Sequence, residues 1–146
     1  MTLALSTVEQ QLQPLVAAGT LGKVFSGIAL ADPKWRPQGH ELPAVFLLPG
    51  GDRAQPSPVV SGRHRQRVEQ LLRVVIAFEV EGGRYSVADG AEVEQLLRAL
   101  RDRLVAWQPD VRLDPLDLVS GRTVALRDRL VWWEEVYRSA YQRTAS

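Results

Sequence analysis

The chain has 146 residues, of which 45% are hydrophobic, and this length and composition are typical of one globular domain with its own core. The formal net charge is +1, from 18 basic and 17 acidic side chains, so no overall field attracts nucleic acid or anionic lipid. The sequence has no cysteine, which excludes disulfides, thiolate metal sites and cysteine nucleophiles.

No apolar run is long enough to cross a bilayer, and the first ten residues lack the basic and long apolar regions of a signal peptide. We therefore expect a soluble protein made in a cytoplasm.

The N-terminal region predicts a helix followed by a short strand. Ser6–Glu9 has the spacing of a capping box, and Val8 and Leu12 begin a helical apolar pattern. Pro14 is expected to end or kink this helix early. Residues 23–28 are rich in β-forming side chains, which predicts a strand.

The middle of the chain predicts two strands separated by a long loop. Residues 43–49, "PAVFLLP", form a compact apolar run between two prolines, which is typical of a buried strand. Residues 50–67, "GGDRAQPSPVVSGRHRQR", are rich in Gly, Pro, Ser and Arg and predict a mobile loop. Residues 73–81 are dense in β-branched and aromatic side chains and predict the central strand.

The second half predicts a helix and then short strands. Asp89–Glu92 is a second capping box, and an apolar stripe at helical spacing continues to Leu104, with Pro109 beyond the end of the helix. Three β-like runs follow, at residues 113–119, 123–126 and 130–141, separated by segments of hairpin length.

The last run, which contains Trp132 and Trp133, fits two periodicities. As a helix, Leu130, Trp133 and Tyr137 would share one face; as a strand, the two tryptophans would lie on opposite faces. The preceding tight turn and the aromatic content favour the strand. Such a strand needs cover on both sides, from the domain core and from a neighbouring chain or helix. The sequence therefore predicts a single α+β domain over residues 1–146, with a mixed or antiparallel sheet and two main helices.

Catalytic and metal-binding patterns are incomplete. His40-Glu41 has no second histidine at zincin spacing, and the only other histidine is His64. Gly50-Gly51 lacks the Lys-Ser/Thr ending of a phosphate loop, and Glu134 and Glu135 point to opposite faces of a strand, unlike a catalytic carboxylate pair. We expect no enzyme activity, no metal and no cofactor.

Two groups of residues are candidates for contacts with partners. The first is basic: Arg53, Arg63, Arg65 and Arg67, with His64 among them. These side chains could contact phosphates or a neighbour's carboxylates, and the lack of interleaved aromatics disfavours nucleic acid. The second group is the aromatic C-terminal run, for which core packing, an oligomer interface and a ligand cage are ranked in that order. Its members are Trp132, Trp133, Tyr137, Arg138 and Tyr141.

The order of these segments resembles that of the bacteriophage tail terminator proteins over nearly the whole chain. The most distinctive pieces are Trp107-x-Pro109 and the C-terminal run from Leu130–Trp133 to Tyr137 and Tyr141. The chain departs from the family at Ala106, where a glycine is frequent, and the N-terminal region and residues 50–67 match least.

The resemblance implies a homo-hexameric ring that caps the tail tube protein, stops its polymerisation and presents its other face to a head-side connector protein. The ring would form in the cytoplasm of a bacterial host and occupy the head-proximal end of the tail in the virion, with DNA passing through its lumen without specific binding. The alternatives are another head–tail connector or completion protein, and a small nucleic-acid-binding module that uses the arginine-rich loop.

Overall fold

The computed structural model describes residues 3–26, 31–32, 34–79 and 90–145. Within these ranges the chain forms two α-helices, a short 3-10 turn at Gly39–Glu41 and one five-stranded sheet. In chain order the helices and strands are α1 (Leu5–Ala17), β1 (Lys23–Ser26), β2 (Ala44–Ala54), β3 (His64–Glu79), α2 (Gly90–Leu104), β4 (Asp117–Arg127) and β5 (Leu130–Ala145).

The strand order across the sheet is β1-β2-β3-β5-β4. β1 runs parallel to β2, and the other neighbouring pairs are antiparallel. A mixed sheet with two helices confirms the predicted α+β fold. No helix among the described residues is long and apolar enough to cross a membrane.

The N-terminal helix differs from its prediction at both ends. Its N-cap residue is Ala4 and no side chain caps it, so the capping box at Ser6–Glu9 is wrong. Pro14 lies inside α1 without ending it: the helix continues to Ala17, and the backbone N–H of Ala18 donates to the carbonyl oxygen of Pro14 at 3.0 Å. The predicted end of the first strand and the predicted cap at Asp89 lie outside the described residues.

The predicted loop at residues 50–67 is too long. β2 continues to Ala54 and β3 begins at His64, so the loop between them covers residues 55–63. The polar ends of both strands stay in the sheet because backbone hydrogen bonds do not require apolar side chains. β3 is also paired along its whole length with β5, from His64 opposite Ala145 to Glu79 opposite Leu130.

The C-terminal half forms one long hairpin. β5 confirms the strand interpretation of the tryptophan-rich run and extends it to Ala145. The run predicted at 113–119 starts too early, since residues 113–116 precede β4, and its last three residues join the run predicted at 123–126 in this one edge strand. The pairing of β4 shifts register at Val119 and at Val124. The β4–β5 turn consists of Asp128 and Arg129, which both have positive φ, as a two-residue type I′ hairpin requires.

Side chains pack on both faces of the sheet. On one face, α1 and α2 bury their apolar stripes, including Leu12 and Leu100, against the main core. On the other face a smaller cluster forms around Phe46 and Trp132, whose ring centroids are 5.6 Å apart. Trp35, from the segment between β1 and β2, packs edge-on to Phe46 at 5.5 Å. Part of the cover expected from a neighbouring chain therefore comes from this chain itself.

Candidate assembly surfaces

Two adjacent residues of β5 place buried carboxylates on opposite faces of the sheet. Glu135 faces the helices, is fully buried and accepts hydrogen bonds from Arg101 of α2, with Nε at 3.0 Å and a terminal nitrogen at 2.5 Å. The hydroxyl of Tyr137 donates to the same carboxylate at 2.8 Å, and the indole N–H of Trp133 donates at 3.3 Å. Four side chains thus form one polar cluster inside the main core.

Glu134 forms the corresponding contact on the other face. It is also buried, and the Nε of Arg73 donates to it at 2.8 Å, while Arg122 of the edge strand lies 3.8 Å away. The opposite orientation of the two carboxylates is as predicted. Because an arginine neutralises each of them, they anchor β5 to its neighbours, and their geometry does not suit proton transfer between them.

Two side chains of this polar cluster, Tyr137 and Arg101, have raised pKa values. Loss of hydration raises the pKa of the Tyr137 hydroxyl far above its ordinary value, and the negative charge of Glu135 adds to the effect. The hydrogen bond to Glu135 raises the pKa of Arg101. The Tyr137 hydroxyl therefore stays neutral at ordinary pH and can donate its hydrogen bond to Glu135. Both pKa changes depend on the contact between β5, which carries Glu135 and Tyr137, and α2, which carries Arg101.

The ends of three strands and the loop between two of them form an exposed projection, which we name the arginine arm (residues 51–67 and 142–145). Residues 51–56, 60–65 and 142–145 are all exposed. Since successive strand residues point to opposite faces, such runs leave both faces of the sheet uncovered here. Of the two helices, α1 approaches this end at its first residue, Leu5, which lines a groove with Gly51 and Asp52.

The arm holds arginines that lack partners. Arg67 pairs with Asp114 at 2.7 Å. Within the described residues, the guanidinium groups of Arg53, Arg63, Arg65 and Arg143 make no ion pair or hydrogen bond. Arg65 and Arg67 also line an open groove of about 620 Å³ together with the prolines of the loop. Four arginines without a side-chain partner in the described residues therefore lie at one end of the sheet.

The arm and the rest of the chain carry net charges of opposite sign, although the whole chain is nearly neutral. The arm carries five arginines and one aspartate, a net charge of +4, and the remaining residues carry 13 basic and 16 acidic side chains, a net charge of −3. The overall charge of +1 hides this division.

The edge strand β4 is the second exposed feature. It has 11 residues, and its outer edge has no partner strand in the described part of the chain. Three apolar side chains on it are exposed, namely Val119 (48%), Val124 (42%) and Leu126 (77%). Two of the three lie at the register shifts.

The structure groups only some of the residues predicted from the sequence. The four candidate arginines lie together on the arm, joined by Arg143, which the sequence reasoning missed although it is close to Tyr141 in the chain. Trp132 and Tyr137 are buried in the chain's own core, as the first of the three interpretations predicted, and Trp133 and Tyr141 are half-buried. Arg138 is exposed and lies 3.9 Å from Asp117.

Comparisons with known proteins agree with this architecture. A family model described as "Phage tail terminator protein" matches residues 1–146. A chain of the solved structure "Virion of native gene transfer agent (GTA) particle" has a similar fold, with a TM-score of 0.50 and 15% sequence identity over 94% of this chain and 93% of that chain. No curated relative matches the sequence.

Proposed function

Because the chain belongs to the phage tail terminator protein family, it is a structural protein of phage tails, and we propose that it caps the tail tube as a homo-hexameric ring. In this function the ring binds the last layer of tail tube protein, stops its polymerisation and offers its other face to the head-side connector protein. The observation that carries the proposal is the family match over all 146 residues.

The charge distribution supports a ring. Identical subunits close a ring through heterologous contacts, in which two different surfaces of each subunit meet. The arginine arm and the rest of the chain carry opposite net charges, so contact between the arm of one copy and the body of another is attractive. An isologous contact between two arms would instead bring like charges together.

The edge strand supports termination. A long, regular edge strand invites further strands to pair with it, which would continue growth. The register shifts at Val119 and Val124 interrupt the row of backbone groups on β4. A subunit with such an edge can occupy the end of a tube without offering a regular edge for the next layer.

The test is a tube-growth assay. Purified tube subunits are allowed to polymerise with and without the chain, and tube lengths are measured by electron microscopy. We expect shorter tubes with the chain at one end, and a free or tube-bound species with a mass near six times 16.3 kDa. Heat-unfolded chain is the control. Tubes that grow to the same length in the presence of folded chain would refute the function.

The arm also fits a second function, contact with DNA. Its net charge and the groove beside Arg65 and Arg67 suit phosphate groups. Fluorescence anisotropy with duplex DNA over a salt series tests this function, because each neutralised phosphate adds about 0.9 to the slope of log affinity against log salt. Replacement of Arg63, Arg65 and Arg67 by alanine should then remove roughly three such contacts. Affinity that is absent at low salt would exclude DNA contact by the arm.

A further inference from the structure

The open groove on the arm, which we name the arm groove, is lined by hydrogen-bond donors and by no carboxylate. Its volume is about 620 Å³, and its lining residues are Gln55, Pro56, Pro58, Arg65, Arg67 and Gln142. By contrast, the smaller groove at the base of the arm includes the carboxylate of Asp52. The chemistry of the arm groove therefore suits an anion.

Three side chains of the arm groove have donors that no other described residue uses. The guanidinium group of Arg65 makes no ion pair or hydrogen bond within the described ranges, and neither do the side-chain amides of Gln55 and Gln142. Guanidinium and amide N–H groups are among the donors that proteins use to bind phosphate oxygens. The groove thus presents donors to a partner outside the chain.

The pleat of the sheet places these donors on one face of the arm. Arg67 lies directly opposite Gln142 in the β3–β5 pairing, and Arg65, two residues away on β3, shares their face. Arg143 lies opposite Gln66 and therefore on the other face. Net charge attracts an anion to the whole arm, whereas the donors of the groove can bind it on one face only.

Arg67 is held at the groove by Asp114. The backbone N–H of Asp114 donates to the carbonyl oxygen of Ala140 at 2.9 Å, and its own carbonyl oxygen accepts from the hydroxyl of Ser139 at 2.7 Å. The carboxylate, fixed in this way to β5, accepts from one terminal nitrogen of Arg67 at 2.7 Å. A guanidinium group has five N–H donors, so others remain for a ligand, and the Arg67 side chain is 41% exposed.

The spacing of the two arginines suits an extended chain of phosphates. Residues two apart on a strand are separated by about 6.6 Å, which is about twice the 3.4 Å rise per phosphate along one strand of duplex DNA. Arg65 and Arg67 can therefore contact separate phosphates. The centre of a protein interface is more apolar than this groove, in which two of the six lining residues are prolines and the rest are polar. These features favour nucleic acid over a protein partner.

We propose that the arm groove binds the phosphate backbone of duplex DNA, with Arg65 and Arg67 on separate phosphates, Gln142 donating beside them and Asp114 positioning Arg67. The inference rests on the second function above, contact with DNA, and restricts that contact to one face of the arm. Because the phosphates are the same in every sequence, this binding reads no bases. It does not depend on tube capping.

Two arginine substitutions test which face binds. Arg65→Ala and Arg143→Ala each remove one free guanidinium group from the arm, but from opposite faces. In fluorescence anisotropy with a labelled duplex, Arg65→Ala should weaken binding roughly tenfold at about 0.1 M salt and reduce the salt slope by about 0.9. Arg143→Ala should change both quantities much less. Equal losses would show that net charge alone attracts DNA, and the inference would be overturned.

Substitution of Asp114 separates positioning from charge. Asp114→Asn removes a negative charge beside the arm, so affinity for DNA would rise if charge alone governed binding. We expect affinity to fall, because Arg67 loses the carboxylate that orients it. Asp117→Asn is the matched control, since it removes the same charge three residues away, from a longer contact of 3.9 Å with Arg138. That control should bind at least as tightly as wild type, and a similar gain for Asp114→Asn would refute the positioning role.

A carboxylate probe tests for a protein partner. Labelled polyglutamate with the same number of charges as the duplex is titrated in the same buffers. We expect weaker binding than to the duplex, because the flexible peptide loses conformational entropy when it is bound. If polyglutamate binds as tightly as the duplex and loses affinity equally in Arg65→Ala, the groove serves an acidic protein and the inference is wrong.

Failure of this inference and failure of the capping function give different results. Wild-type chain that caps tubes but has no affinity for duplex DNA at low salt retains the capping function and loses the groove as a DNA site. Chain that binds DNA with the expected dependence on Arg65 but leaves tube growth unaltered retains the inference and loses the capping function. Arg65→Ala chain should still cap tubes.

Discussion

Replacement of Arg101 by methionine should destabilise the fold more than any change to an exposed arginine. Glu135 is fully buried, and Arg101 is the cation that neutralises it, with contacts of 3.0 and 2.5 Å. Removal of one partner from a buried pair costs about 3–5 kcal/mol because the other charge is left uncompensated. The Arg101 side chain is 37% exposed, so water replaces part of its effect and we expect about 3 kcal/mol.

This loss is a large share of the roughly 5–15 kcal/mol that stabilises a typical domain, and it should lower Tm by about 6–12 °C. Urea unfolding followed by circular dichroism measures it. Arg98→Met on the same helix is the matched control, since that exposed pair is worth only about 0.5 kcal/mol. The double variant Arg101→Met, Glu135→Gln should recover much of the loss. A loss under about 1 kcal/mol, or no recovery, would show that Arg101 does not compensate the buried charge.

Three further predictions concern single residues of the sheet and of α2. Burial raises the pKa of the Tyr137 hydroxyl above its ordinary value of 10.0, so the buried neutral form stabilises the fold fully below about pH 10. Above that pH the free energy of unfolding should fall by about 1.4 kcal/mol per pH unit. Tyr137→Phe should lack this decrease when unfolding is measured over a pH series. Gly121→Ala places a Cβ 2.9 Å from the ring of Trp133, so it should lower the free energy of unfolding in urea by about 1–3 kcal/mol. Gly90→Ala adds a Cβ in open space on a helix and should raise that free energy by about 0.5–1 kcal/mol. Trp132→Ala should lower the free energy of unfolding by about 3–5 kcal/mol, and Trp133→Ala, at a half-buried position, should lower it by about 2 kcal/mol. Equal losses for the two variants would contradict the difference in burial.

The features that the sequence predicted well are those determined by nearby residues. The apolar stripe of α2, including Leu96, Leu100 and Leu104, is buried as its 3.6-residue spacing predicts. The alternation of Trp132 and Trp133 between the two faces of the sheet likewise follows from the two-residue period of a strand.

The features that it missed depend on pairing between distant segments. The polar ends of β2 and β3 are strands because they pair with each other, and β5 extends the ladder on the other side of β3. Ser120-Gly121 has the composition of a turn, yet Gly121 lies in β4 where the ring of Trp133 leaves no room for a side chain. The arginine partners of Glu134 and Glu135 are 61 and 34 residues away in the chain, so no local pattern could identify them.

Ionic strength should separate the charges that stabilise the fold from those that join copies. Salt screens exposed charges over about 8 Å at physiological ionic strength, so a partner at the arm senses its local charge of +4 more than the overall +1. The buried carboxylates of Glu134 and Glu135 are screened much less. An increase from about 0.05 to 0.5 M NaCl should therefore weaken association between copies by at least tenfold while changing the urea midpoint little. Light scattering and urea unfolding in the same buffers measure the two quantities, and association that is insensitive to salt would show that the arm does not bind through its arginines.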